Sequence, residues 1–353
     1  MNKIKLTVFW LARALGLFAA CRRLTAAKVR ILCYHGGCLG DESSYNPKLF
    51  CSSAMLAQRM QWLKRKGFTL VPLAEAAASA RRQAAARSAL TTAITFDDGW
   101  YSTASELVPV LGKLGIPSSL YLCTSHYLEG WAIPSVAVRY LIWKSGLQSV
   151  QLHGLGSADG SVELGTPAQR NAAANRIVAA IDASLPQRDT KHAMLEQLAS
   201  CLKVPSSALA LSTRRFEYMR EAQLLALAEQ GCTVELHGHV HLYPAGDPAA
   251  FEADLRQCSD TIVGAGLPRP THYCYPSGNF DAAASPVLER LGVLTGTTCL
   301  PGLITQASAT QSHYLPRFLD GESIAMLDFE AEMSGFSELL RKLLRKAHPL
   351  QPA

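Results

Sequence analysis

None of the ten cysteines, at positions 21, 33, 38, 51, 123, 201, 232, 258, 274 and 299, belongs to a Cys-x-x-Cys pair. They lie singly, several inside apolar strand-like runs such as Ile31-Leu32-Cys33-Tyr34 and Tyr273-Cys274-Tyr275. A buried thiol of this kind behaves as a small hydrophobe. Dispersed, unpaired cysteines in an enzyme-sized chain point to a reducing compartment. Long apolar runs are missing too. The best candidate, LTVFWLARALGLFAA at 6–20, is broken by Arg13 and falls short of the ~20 residues a spanning helix needs. Charge is scarce, at 18% of residues against an average near ~25%, so part of the surface is expected to meet a membrane or a partner. No interleaved aromatic and basic patch is present, which argues against nucleic acid as a partner.

What charge there is gathers at the ends. Lys3, Lys5, Arg13, Arg22, Arg23, Lys28 and Arg30 crowd the start, and Arg341, Lys342, Arg345 and Lys346 the finish, within a net charge of +6. These cations read either as solvated helix faces or as contacts to anionic headgroups. The basic start followed by an apolar run resembles a signal sequence, but Arg13 and the poor Phe18-Ala19-Ala20-Cys21 cleavage site favour an amphipathic helix over residues 1–26. Phe336, Leu339, Leu340, Leu343 and Leu344 recur at helical spacing among basic residues, predicting a second amphipathic helix and tail at 331–353. Both ends could then touch one membrane. The expected location is cytoplasmic and peripheral on the inner membrane face; the alternative is periplasmic, with an uncleaved N-terminal anchor.

With 353 residues and 48% hydrophobic content the chain can bury a large core. Strand-like and helical runs alternate. Strands are predicted at 29–34, 68–73, 90–96 and 118–123, with helices at 55–66 and 101–114 and alanine-rich helical text at 74–89. The rhythm returns with helices at 220–229, 251–264 and 282–291 and strands at 233–237, 271–275 and 294–299. Such alternation implies a parallel sheet with covering helices, and about seven units imply a closed or nearly closed barrel. Functional residues are then expected at the C-terminal strand ends. Residues 125–218 interrupt the pattern and read as an insertion on that face, either a substrate-binding lid or a structural bystander.

Two motifs carry chemistry. Ile94-Thr95-Phe96-Asp97-Asp98-Gly99 ends an apolar strand in two carboxylates and a glycine that permits an immediate turn. Adjacent strand residues face opposite ways, so the two aspartates need not share a role. Glu235-Leu236-His237-Gly238-His239-Val240-His241 places three of the ten histidines within five residues. Imidazole is a common ligand for zinc, and an i, i+4 pair can meet on one ion if the chain turns helical after the strand. A carboxylate from another strand end would complete a two-histidine, one-carboxylate set with open positions. The bland alternatives are an Asp-Gly turn and a surface histidine cluster.

Thr95-Phe96-Asp97-Asp98-Gly99 followed by a later paired-histidine motif resembles the NodB-homology polysaccharide deacetylases, carbohydrate esterase family 4. Cys33-Tyr34-His35-Gly36 after the first strand and Tyr275-Pro276-Ser277-Gly278 fit the family's order, over roughly 28–124 and 217–320. The resemblance implies an α/β fold, a distorted (β/α) barrel of the NodB type over 27–330, with the helical insertion and amphipathic terminal helices. It implies Asp98, His237 and His241 as metal ligands and Asp97 as general base. The expected cofactor is a divalent metal, zinc by default, with cobalt, nickel or manganese fitting the same set. The implied activity is removal of N-acetyl groups from amino sugars of a glycan or lipid-linked precursor. Alternatives are deformylation or deacylation of another lipid-linked amide, and a catalytically silent glycan-binding relative.

The sequence also departs from the family. Gly238 replaces the Ser or Thr after the first histidine. Using His239 as the first ligand would pair it with Tyr243, so His239 is expected outside the ligand set. Tyr275, Pro276, Ser277 and Gly278 replace the usual arginine motif and are assigned to substrate binding. The role of orienting the catalytic aspartate passes to Arg317, with a surface salt bridge as its plainer reading. His35 is the first candidate for general acid and His313 the second.

Overall fold

The structure, a computed structural model, describes residues 3–81 and 90–343. Seven parallel strands form one sheet: β1 (Arg30–Tyr34), β2 (Thr92–Asp98), β3 (Ser118–Leu122), β4 (Cys232–Leu236), β5 (His272–Cys274), β6 (Thr295–Thr297) and β7 (Phe318–Leu319). Their order across the sheet is β6-β5-β4-β3-β2-β1-β7. The curl is completed by one extended segment. Leu315 bridges Thr297 of β6, and three residues later Phe318 pairs with Leu32 of β1. The chain thus forms the distorted (β/α) barrel expected of it.

All seven residues of β2 and all five of β3 are buried, as expected where a parallel sheet is covered on one face by helices and filled on the other. Leu32, Tyr34, Ile94, Phe96, Leu120 and Leu122 pack outward against helices that include Ser53–Arg65 and Pro248–Gly264. Ile31, Ala93, Tyr121 and Cys274 belong to a second cluster inside the barrel. Alternation along β2 therefore sends Asp97 to the interior, in line with Ala93 and Thr95.

Two predicted elements differ. Residues 68–73 form no strand: Leu70 makes an isolated bridge to Thr92, and Pro72 then opens the helix Leu73–Arg81. Proline has no N–H to extend a ladder but suits a helix start. The 101–114 helix contains a π-helical turn at Thr103–Leu107 before Val108–Lys113. Pro109 cannot donate back to the preceding turn, and a π-turn is one way to absorb that loss. The alanine-rich text beyond Arg81, at 82–89, lies outside the described residues, as do Leu344, Arg345 and Lys346.

At the N-terminus stand two helices in place of one, α1 (Lys3–Ala14) and α2 (Leu17–Leu24), joined through Gly16 in the left-handed conformation. They pack on α3 (Met326–Ser334) and α4 (Phe336–Leu343) through Phe9, Ala12, Phe18 and Ala331, with Phe336 against this cluster. Residue 330 lies inside α3. Residues 125–218 contain the helices Pro134–Ser145, Pro167–Asp182 and Arg188–Cys201 and an antiparallel ribbon pairing Ser149–Leu152 with Gly160–Glu163. They build a core of their own, joined to the barrel through Phe50 and Trp100.

Candidate active site

Asp97 and Asp98 end β2 at the barrel mouth. Asp97 is buried and meets Arg317 in a two-pronged ion pair, with Nη1 to Oδ1 at 2.7 Å and Nη2 to Oδ2 at 2.8 Å. Arg317 is wholly buried and sits on the segment that closes the barrel. Its Nε donates to the Thr298 carbonyl at 3.1 Å. Burial by itself would raise the Asp97 carboxyl; the guanidinium outweighs it and holds the group well below the usual carboxylate range. Asp97 is thus ionised at any working pH.

Asp98 should point away from Asp97 by strand alternation. It does not, because its φ is +77°. That left-handed conformation costs a non-glycine residue roughly 1–2 kcal/mol, and strain of this kind gathers at functional sites. Trp100 Nε1 donates to Asp98 Oδ2 at 2.8 Å. The other oxygen, Oδ1, lies 3.4 Å from His237 Nε2 and 3.3 Å from His241 Nε2. The turn continues at Gly99, φ +115°, where a β-carbon would stand 2.5 Å from Leu122 Cδ1.

His237 follows β4. Its Nδ1 is 2.8 Å from the Cys274 carbonyl. A carbonyl only accepts, so Nδ1 donates to it and Nε2 is the nitrogen turned towards Asp98. His241 joins it with ring centroids 4.9 Å apart. The two do not converge through a helical turn, as the spacing suggested. The chain leaves β4 into an irregular loop and bends at Gly238, φ +83°. A β-carbon on Gly238 would lie 2.8 Å from Asp254 Oδ2, which explains why serine or threonine is not there. Asp254 supplies the missing anchor: its carboxylate accepts from the N–H of His239 at 2.9 Å and of Val240 at 2.8 Å. His239 turns from the site, with Nδ1 2.9 Å from Thr124 Oγ1 and Nε2 2.9 Å from Gln257 Nε2.

The donor set suits a divalent metal. One oxygen of Asp98 and the two Nε2 atoms lie within 4.8 Å of one another. Two of these three groups are oriented from behind: Asp98 by Trp100, His237 by the Cys274 carbonyl. Two other groups, Cys33-His35-Asp97 and Asp97-His237-Cys274, are equally close. Both need Asp97, whose two oxygens already accept from Arg317, so the Asp98 set fits best.

His35 follows β1, partly exposed, with Nε2 3.9 Å from Asp97 Oδ2. His313 does not reach this chemistry. Its Nε2 is 2.9 Å from the Val293 carbonyl and its Nδ1 2.7 Å from Ser285 Oγ, so both nitrogens are engaged. Tyr275 is also placed differently from expectation. Its ring is buried among Tyr243, Tyr273, Phe280 and Tyr314, which closes it to a bound sugar. It supports the turn Pro276–Gly278, where Ser277 is exposed with φ +56°. Trp100, Cys274 and Asp254 were not singled out from the sequence. Trp100 follows the Asp-Asp-Gly motif directly and was in view; Cys274 acts through its carbonyl, and Asp254 stands in a helix with no local signal.

The comparisons with known proteins bear on the family and the fold. A family model described as polysaccharide deacetylase matches residues 85–296. Among curated proteins none matches. Solved structures of similar fold include the Streptococcus pyogenes deacetylase PplD in complex with acetate, at 14% identity and TM-score 0.55, covering 87% of this chain and 98% of that one. IcaB from Ammonifex degensii follows at 14% and 0.53, covering 88% and 97%. A de-N-acetylase from Aggregatibacter actinomycetemcomitans stands at 12% and 0.51, covering 86% and 99%.

Proposed function

Since the chain belongs to the polysaccharide deacetylase family, and is therefore a hydrolase of amide bonds on acetylated sugars, we propose that it removes N-acetyl groups from amino sugars of a glycan with the aid of a divalent metal. The observation that carries the metal-dependent reading is the convergence of Asp98, His237 and His241 on one point beside a separately held Asp97. A divalent metal held there would supply Lewis acidity, lowering the pKa of a water and polarising the acetyl carbonyl.

The chain's own groups account for the rest. Asp97 stands next to Asp98 and is kept charged by Arg317, so it can accept the proton of an attacking water. Arg317 fixes both carboxylate oxygens and thereby the direction of the remaining lone pairs. A departing amine needs a proton. His35, at the end of the neighbouring strand with Nε2 3.9 Å from Asp97 Oδ2, is the group we assign to give it. Ser277 and Gly278 are the parts of the 275–278 segment open to a sugar. Zinc is the metal these nitrogen and oxygen donors favour first, with cobalt, nickel and manganese able to serve.

The experiment is acetate release from a panel of N-acetylhexosamine oligomers and lipid-linked sugars. It is run on protein as purified, after chelation, and after return of each metal. Loss on chelation with recovery by one metal is expected. Full activity in metal-depleted protein would overturn the metal-dependent reading, and amine release from none of the panel would overturn the substrate.

A further inference from the structure

The helices α1 and α2 have two apolar faces, and one of them is covered by none of the described residues. Phe9 and Ala12 of α1, and Phe18 and Cys21 of α2, are buried at i, i+3 spacing against α3 and α4. On the other side of α1, Val8, Leu11 and Leu15 follow at i, i+3, i+7, which puts them in one stripe. On α2, Leu17 and Leu24 repeat at i, i+7. Leu15 and Leu24 are each 75% exposed and Trp10 61%. Among the described residues fifteen large apolar side chains are exposed, and six of them belong to this hairpin. A patch so concentrated marks an interaction surface.

Charge indicates the kind of surface. The first forty residues hold seven Lys or Arg and no Asp or Glu. Two of these cations, Lys5 and Arg13, reach back to Asp328 and Glu330 on α3. Beside the Gly16 turn lies a cleft of about 520 Å³ lined by Arg13, Arg22, Arg65 and Lys66, with Glu330 its lone acid. No helix of the described residues is long and apolar enough to cross a membrane. An exposed apolar stripe flanked by cations, on helices too short to span, is the arrangement that lies in a headgroup layer.

We propose that the hairpin docks the enzyme onto an anionic lipid surface: Val8, Trp10, Leu11 and Leu15 enter the acyl boundary while the Arg13, Arg22, Arg65 and Lys66 cleft receives a headgroup phosphate. A zwitterionic surface offers no net charge for these cations, and a second copy of this chain would bring the same positive charge against them. The inference is independent of the catalytic reading, because no residue of the mouth takes part.

Full-length protein is mixed with vesicles of phosphatidylcholine alone or phosphatidylcholine with phosphatidylglycerol. Binding is read by co-sedimentation and by the emission of Trp10, isolated as the difference from Trp10→Phe. Binding to the anionic vesicles is expected to be about tenfold or more tighter and to weaken with added salt. Leu11→Glu with Leu15→Glu should lower it at least about tenfold. Arg22→Glu with Arg65→Glu should abolish the preference for phosphatidylglycerol. Leu185→Glu, at an exposed leucine of the insertion, should change nothing. Melting temperature and acetate release in solution should stay at the parent level in all of them. Equal binding to both vesicles, or none to either, overturns the proposal. So does self-association in solution that the Leu11/Leu15 variant abolishes, which would assign the face to a second copy.

Discussion

Two of the clusters of buried charge in this molecule, one at the barrel mouth and one at the end of the insertion, are built to opposite ends. In the insertion Glu217 is buried and surrounded. Arg188 donates to both of its oxygens, and Arg214 Nε approaches at 3.3 Å. Arg220 and His192 stand at 3.7 and 3.9 Å. Both oxygens of that carboxylate face guanidinium groups. At the mouth Asp97 is held in the same manner by Arg317, but Asp98 Oδ1 and the Nε2 atoms of His237 and His241 are turned towards one another. Burial of charge does not by itself mark chemistry. What separates the two is donor capacity left over and aimed at a common point.

That difference can be broken from either side. The largest effect is expected from Asp98→Asn, which removes a ligand charge: kcat/KM should fall by roughly a thousandfold, about 4 kcal/mol of transition-state stabilisation, with bound metal lost and the melting temperature little changed. Metal analysis beside acetate release checks it. Arg317→Met should do two things at once. Leaving Asp97 buried without its partner costs on the order of 3–5 kcal/mol of stability, and activity should drop because the base can protonate. Pairing it with Asp97→Leu should recover much of the stability and none of the activity, as denaturant unfolding and acetate release would show.

Glu217→Gln is the matching change in the insertion. It should destabilise by about 2–4 kcal/mol, since several cations lose their anion, while kcat measured well below the melting temperature stays at the parent value. A fall in kcat would make the insertion part of the catalytic machinery. Trp100→Phe takes away one hydrogen bond to Asp98 and keeps the ring. Metal affinity should weaken by roughly 10–100-fold, read by competition with a chelating dye.

The smallest effect concerns acid. Lys144, Arg215 and Tyr140 hold the Asp41 carboxyl below its usual value, outweighing the upward push of burial. Its stabilising contribution is therefore complete above an unfolded pKa of about 3.9 and is lost as the pH falls through and below it. Melting curves of the parent and Asp41→Asn should begin to approach each other as the pH falls below about 5 and should meet only well below about pH 3, where the folded carboxyl is itself protonated.

The barrel was legible because buried parallel strands leave continuous apolar runs and their helices leave periodic ones. The motif residues were legible because Asp-Asp-Gly and the histidine pair each lie within a few positions of a strand end. What the sequence could not show was conformation at single bonds. Nothing in the letters says that Asp98 takes a positive φ and swings to the side its alternation forbids. Nor do they say that His237 and His241 meet by a bend at Gly238, without a helical turn. Long-range partners were the other gap. Arg317 could be guessed because the chemistry needs a cation, whereas Asp254, fifteen positions after His239 and inside a helix, reads as an ordinary solvated acid. Tyr275 is assigned to substrate binding with the segment that stands in for the family's arginine motif, and only packing shows its ring among other aromatics of the core.

The segment from Leu315 to Leu319 joins both margins of the sheet and carries Arg317 in its middle. Closing the sheet and pairing the Asp97 carboxylate are therefore a single act of assembly, since the residue between the two bridges is also that carboxylate's partner.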